Sequence, residues 1–122
     1  MNRLGLAGAL TGVATVSLGA FGAHALADTL NVKQTGWWDT ATFYALVHSV
    51  TAFAASLATA GKALRAGGWA FLIGVWVFSG SLYAMALGAP SILGAITPIG
   101  GVSLIIGWAC CAWHAAKSVG KS

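Results

Sequence analysis

Chemistry in this sequence would have to come from three histidines, two cysteines and two aspartates, since glutamate is absent. Tyr44 and His48 are one helical turn apart, so a helix places them on one face. A histidine deep in an apolar run suits a proton relay, a metal ligand or contact with a bound molecule; its default role is a neutral ring fixing helix packing. His24, followed by Asp28, approaches Asp39 and His48 if the first two helices are antiparallel neighbours. Two imidazoles and two carboxylates would then face one metal or proton, and His24 and His48 are the metal candidates, with no spacing motif behind them. Cys110 and His114 can supply two further ligands from adjacent turns. No third ligand accompanies them, and Cys110 and Cys111 read as small apolar fillers beside an interfacial histidine. Haem-attachment, phosphate-loop, zinc-protease, nucleophile-elbow and dinucleotide fingerprints are all missing. Paired-carboxylate chemistry has no residues to use. No catalytic residue and no cofactor is assigned, and a non-enzymatic role is expected.

The elements that must position these groups are membrane helices. Of 122 residues, 58% are apolar and 7% charged, and the mean hydropathy is +0.84. A soluble domain is about one-quarter charged, so this chain cannot cover a water-facing surface. Four apolar runs, 4–27, 40–61, 69–88 and 98–116, are each long enough to cross about 30 Å of hydrocarbon. The expected fold is all-α: one domain, an integral membrane protein forming a compact four-transmembrane-helix bundle. Asp39 is placed to cap the second helix, with Trp38 and Phe43 as a hydrophobic staple. Thr97-Pro98 has the form of a fourth-helix start, leaving 90–97 as an apolar loop. Arg3, the first apolar run and Ala25-Leu26-Ala27 also have the form of a cleavable secretory leader. The run's length and its stripe of small residues favour retention.

Charge sets an expected orientation. Arg3, Lys62, Arg65, Lys117 and Lys121 fall on one side of a four-span chain, and Lys33, Asp28 and Asp39 on the other. The positive-inside rule makes the first side cytoplasmic, with both termini in. The inner (plasma) membrane of a bacterium is the expected location. The formal charge of +4 is spread over three segments without aromatic interleaving, which excludes a nucleic-acid partner and leaves attraction to membrane lipid. Trp37 and Trp38 suit the outer interfacial belt, and Trp69 and Trp113 the inner one.

Small residues recur every three, four or seven positions. Gly5, Gly8, Gly12, Thr15, Gly19 and Gly22 form one face of the first helix. Gly67, Ala70, Gly74, Val77 and Ser81 repeat the pattern in the third, and Gly100, Ser103, Gly107, Cys110 and His114 in the fourth. The second helix carries Ala41, Tyr44 or Ala45, His48, Ala52, Ala55 and Thr59. Such faces let helix backbones approach closely where lipid and protein are equally apolar. Gly8-xxx-Gly12 could equally face another copy. A homo-oligomer, or membership of a larger membrane complex, is therefore expected.

Four segments together resemble a known family. Gly19-Ala-Phe-Gly-Ala-His-Ala-Leu26, Tyr44-Ala-Leu-Val-His48, Phe78-Ser-Gly-Ser-Leu-Tyr83 and Leu93-Gly-Ala-Ile-Thr-Pro-Ile-Gly-Gly101 are similar to signatures of the YgdD/YwdK-like small inner-membrane proteins. The resemblance covers nearly the whole chain and implies a four-helix membrane protein of uncharacterised function. Some relatives carry another histidine after the tyrosine, where this chain has Ala45. The family segments bring His24, Tyr44, His48, Ser79, Ser81, Tyr83 and Thr97 towards one half of the bundle, as a candidate polar cluster. Mutual hydrogen bonding would make it a structural plug; a void beside it would make it a binding site. The leading reading is an oligomeric or accessory membrane component. The alternatives are a small transporter or permeation protein using a polar cavity near His48, and a metal, haem or quinone site.

Overall fold

Hydrogen-bonding side chains and glycines, more than hydropathy, decide where the helices begin and end. The computed structural model describes residues 1–58 and 61–119; Thr59 and Lys121 lie outside them. Four α-helices follow in order: α1 Arg3–His24, α2 Val32–Ser56, α3 Lys62–Ala86 and α4 Thr97–Val119, with a 3-10 turn over Ser91–Ala95. Asn2 caps α1, accepting from the Gly5 amide at 2.9 Å and donating to the Ser56 hydroxyl at 3.1 Å.

The second helix starts at Val32, earlier than the expected Thr40, because Asn31 and Gln34 form a reciprocal capping box. Each side chain satisfies the other's free amide, at 2.8 and 2.9 Å. Asp39 is therefore exposed within the helix and caps nothing. Trp38, expected in the interfacial belt and in a staple with Phe43, is instead buried at 3% exposure. Likewise α3 begins at Lys62, not Trp69, after Gly61 turns the chain at φ +123°. A Schellman motif closes α3: the Ala89 amide donates to the Ala84 carbonyl at 2.9 Å and that of Gly88 to Met85 at 3.1 Å, with Gly88 at φ +104°. α4 starts at Thr97, with Pro98 in its first turn where a missing amide proton costs nothing.

Consecutive helices pack antiparallel. α3 is the hub, lying along both α2 and α4; α1 lies along α2 and only brushes α3. α1 and α4 do not pack on each other among the described residues, so the bundle is an open stack, not a closed four-helix ring. The core joins Leu4, Ala45, Ala52, Phe71, Leu72, Val75 and Leu104. A smaller cluster of Ala41, Leu82 and Met85 sits toward the other end.

Two glycine seams hold the stack. Between α1 and α2, a methyl group added at Gly5 would strike Ser56, at Gly8 the Phe53 backbone, at Gly19 Thr42 and at Gly22 the Trp38 indole. Between α3 and α4, Gly67 faces Gly107 and Gly74 faces Gly100, with a methyl on Gly67, Gly74 or Gly107 coming 3.0 Å from the partner glycine's carbonyl oxygen. Gly12 departs from the expected packing face and meets only open space. Among the described residues three segments, Arg3–His24, Lys62–Ala86 and Ser91–Ser118, are long and apolar enough to cross a membrane.

Candidate functional site

His48 is placed by α2 against two neighbouring helices. It is 5% exposed, with its ring 5.3 Å from that of Phe71 on α3 and 6.0 Å from the Trp108 indole on α4. Tyr44, one turn earlier, stacks on it at 5.9 Å. The Trp108 indole donates to His48 Nε2 at 3.1 Å. Indole can only donate, so Nε2 is the bare nitrogen and Nδ1 carries the proton. Nδ1 then donates to the Tyr44 carbonyl at 2.7 Å. Both ring nitrogens are occupied, and a metal at Nε2 would have to displace Trp108.

The other polar candidates pair in separate places. Ser79 donates to the Ala41 carbonyl at 2.7 Å, tying α3 to α2. Tyr83 and Thr42 share a 2.6 Å hydroxyl bond across the same interface. Ser81 and Thr97 share another of 2.6 Å between α3 and α4. Each is an interhelical tie, and among the described residues no buried side-chain nitrogen or oxygen lacks a partner.

His24 stays apart from this set. The seam pairs Gly8 with Phe53, Gly19 with Thr42 and Gly22 with Trp38, so His24 is level with a residue near Trp37. At 1.5 Å per residue it lies roughly 16 Å along the axis from His48. It is exposed at the end of α1. The arrangement of two imidazoles and two carboxylates is not formed, and no group of three potential metal ligands exists among the described residues. Cys110 packs on Gly67, while His114 lies against Gly61.

Three residues missed at the sequence level complete the picture. Trp108 donates to His48 and orients its ring. Trp38 donates to the Leu18 carbonyl at 2.9 Å, reaching it over Gly22, and meets the Tyr83 ring edge-on at 4.5 Å. Thr42 supplies the Tyr83 partner. Polar side chains opposite glycines were the available signal, but reading it required the α1–α2 register.

Hollows adjoin these groups. One of about 420 Å³ opens between α2 and α4, lined by Tyr44, His48, Phe78, Leu104 and Trp108 among others. Another of about 500 Å³ lies where α1 diverges from α3, bordered by Leu10, Val75, Trp76 and Tyr83. A third of about 530 Å³ lies between the end of α1 and the start of α2, beside Asp39. The first two have almost wholly apolar walls.

The model of a family described as "Protein of unknown function (DUF423)" matches residues 18–101. That span holds the whole candidate polar cluster and stops short of Trp108. The chain belongs to this family. Its relatives include a UPF0382 membrane protein of Staphylococcus epidermidis, 45% identical over 83% of this chain and 84% of the relative. The UPF0382 membrane protein YwdK of Bacillus subtilis is 41% identical over 83% and 85%. The UPF0382 inner membrane protein YgdD of Escherichia coli is 38% identical over 83% and 79%. No solved structure matches the chain. The resemblance read from the four signature segments is to this family, and the chain is a membrane protein like these relatives.

Proposed function

We propose that the chain crosses the inner membrane of a bacterium four times, with both termini cytoplasmic, and acts as a non-enzymatic component of an oligomeric or larger membrane assembly. α2 contains Lys33, Gln34 and Asp39 and so is the least apolar helix by composition. Its outward face from Phe43 through Leu46, Val47, Val50 and Phe53 to Leu57 is nevertheless apolar and exposed. Packed between α1 and α3, it shares their surroundings. The 25 residues of α2 extend about 37 Å at 1.5 Å each, so its polar first turns would project beyond the hydrocarbon. Among the described residues Arg3, Lys62, Arg65 and Lys117 share one end and only Lys33 lies at the other, which favours the first end as cytoplasmic.

The observation that carries the structural role is the completeness of the internal hydrogen bonding. Buried His48, Ser79 and Ser81 spend their polar atoms on the protein itself, leaving none aimed at a substrate. Support for assembly comes from Gly12, which borders a shallow apolar groove of about 330 Å³ with Val16, Val50 and Phe53. A second copy or a partner helix can approach closely there. Crosslinking in native membranes, followed by mild-detergent purification, is expected to give a discrete assembly. Recovery of free monomer alone would refute this reading.

A second reading rests on the hollow beside His48. A hydrophobic molecule such as a quinone, or a solute in transit, would lie there against Tyr44 and Trp108. His48→Ala would then change binding or solute flux in liposomes; unchanged values would eliminate it.

A further inference from the structure

Where α3 begins and α4 ends, the two helices border a cavity of about 520 Å³. Lys62 borders it from α3, and Trp113, His114, Lys117 and Ser118 border it from α4. Among the described residues its charged side chains are of one sign. Both aspartates lie at the opposite end, Asp28 after α1 and Asp39 in the first half of α2. Neither can neutralise Lys62 or Lys117.

The cavity is formed by packed parts. The His114 ring rests on Gly61, where an added methyl would come 2.8 Å from Cε1. Ser118, on the next turn, donates back to the His114 carbonyl at 2.9 Å. The Lys117 ammonium lies 5.8 Å from the centre of the Trp113 ring, which holds the charge at the cavity border.

Its position selects the class of anion. α3 and α4 belong to two of the three most membrane-suited segments, and the cavity is at their shared end. A tryptophan with an adjoining lysine at a span's end marks the headgroup level of a bilayer. Basic hollows between spans on the positive side suit anionic headgroups, where bulk lipid presents phosphate at high local density. A free phosphate offers the same oxygens without an acyl chain to place it there.

We propose that this cavity binds the phosphate of an anionic phospholipid headgroup, with Lys62 and Lys117 as its cationic ligands and Trp113 and His114 as its walls. The proposal rests on the membrane-spanning reading above. Native mass spectrometry of the full chain in mild detergent, with equal phosphatidylglycerol and phosphatidylcholine, tests it. Phosphatidylglycerol should be retained preferentially. Lys62→Gln and Lys117→Gln should each weaken that retention about fivefold, as loss of one cation near an anionic surface implies. Arg65→Gln removes the same charge from the same end but outside the cavity, and should leave retention within twofold.

Equal retention of the two lipids, or an Arg65→Gln loss as large as that of Lys117→Gln, would overturn the site in favour of diffuse attraction. Displacement of the lipid by millimolar inorganic phosphate would overturn the headgroup assignment. Thermal unfolding of each variant separates lost binding from lost folding: a variant that melts like the wild type yet keeps its phosphatidylglycerol counts against the site. Failure of the four-span reading would look different, because an impermeant maleimide would then label a cysteine placed at Ala58 in intact cells, whichever lipid the purified chain retains.

Discussion

Replacing Gly100 by alanine puts a methyl group where α3 and α4 are closest. That methyl would lie 2.8 Å from Phe78 Cα and Cβ and closer still to the Phe78 backbone nitrogen. Backbone atoms cannot rotate away, so the helices must part by roughly 1 Å to restore ordinary carbon contacts. Parting stretches the Ser103 bond to the Ala70 carbonyl, now 2.8 Å, and the Ser81–Thr97 bond, now 2.6 Å. Overpacking costs about 1–3 kcal/mol, and each interhelical bond in a membrane is worth about 0.6 kcal/mol. Alanine's better helix propensity returns up to about 1 kcal/mol. The net loss should be about 1–3 kcal/mol. Reversible unfolding in mixed micelles, followed by circular dichroism, measures it against Gly36→Ala and Gly80→Ala, whose methyl groups would meet nothing within 4 Å. Those controls should be neutral or up to about 1 kcal/mol more stable. Gly100→Ala matching the controls would refute the idea that the α3–α4 seam depends on backbone contact.

Trp108→Phe keeps an aromatic ring beside His48 but removes its donor to Nε2; micelle unfolding should show a loss of about 1 kcal/mol. His48→Ala should cost about 2–4 kcal/mol by leaving a hole among Phe71, Tyr44 and Trp108, and equal stabilities for the two variants would contradict the pairing. In a double-mutant cycle, Thr42→Val and Tyr83→Phe should couple by about 0.6 kcal/mol, with about 1.7 as the ceiling; additive losses would deny their 2.6 Å bond. Chelation with EDTA should leave the melting temperature unchanged, because His24 and His48 are not brought together; a fall that added zinc reverses would contradict this.

Hydropathy made the spanning segments legible because burial in lipid is a property of each run by itself. The glycine faces were legible too, since 3-4 spacing puts Gly67 with Gly74 and Gly100 with Gly107 before any partner is known. Gly12 shares that spacing yet packs on nothing, because α1 touches only one helix closely and so fills only part of its small face. The α2 start was hidden by Lys33, Gln34 and Asp39, which end the apolar run while the Asn31 box continues the helix. Trp38 looked interfacial from its place beside Trp37. It turns inward because Gly22 stands opposite, which depends on register. His48 was legible as a buried polar group, but its partner Trp108 lies 60 positions away and carries no local signal. The polar residues gathered from family segments share helices without sharing one site: packing brings them together in pairs.

Four spans, with α2 among them, are the central claim, and site-directed cysteine labelling in intact cells tests it most directly. In a background lacking Cys110 and Cys111, a membrane-impermeant maleimide should modify Thr29→Cys and Ala89→Cys. Ala58→Cys, beyond the end of α2, should stay protected until the cells are lysed. Labelling of Ala58→Cys with protection of Ala89→Cys would mean that α2 does not cross, and would contradict the account.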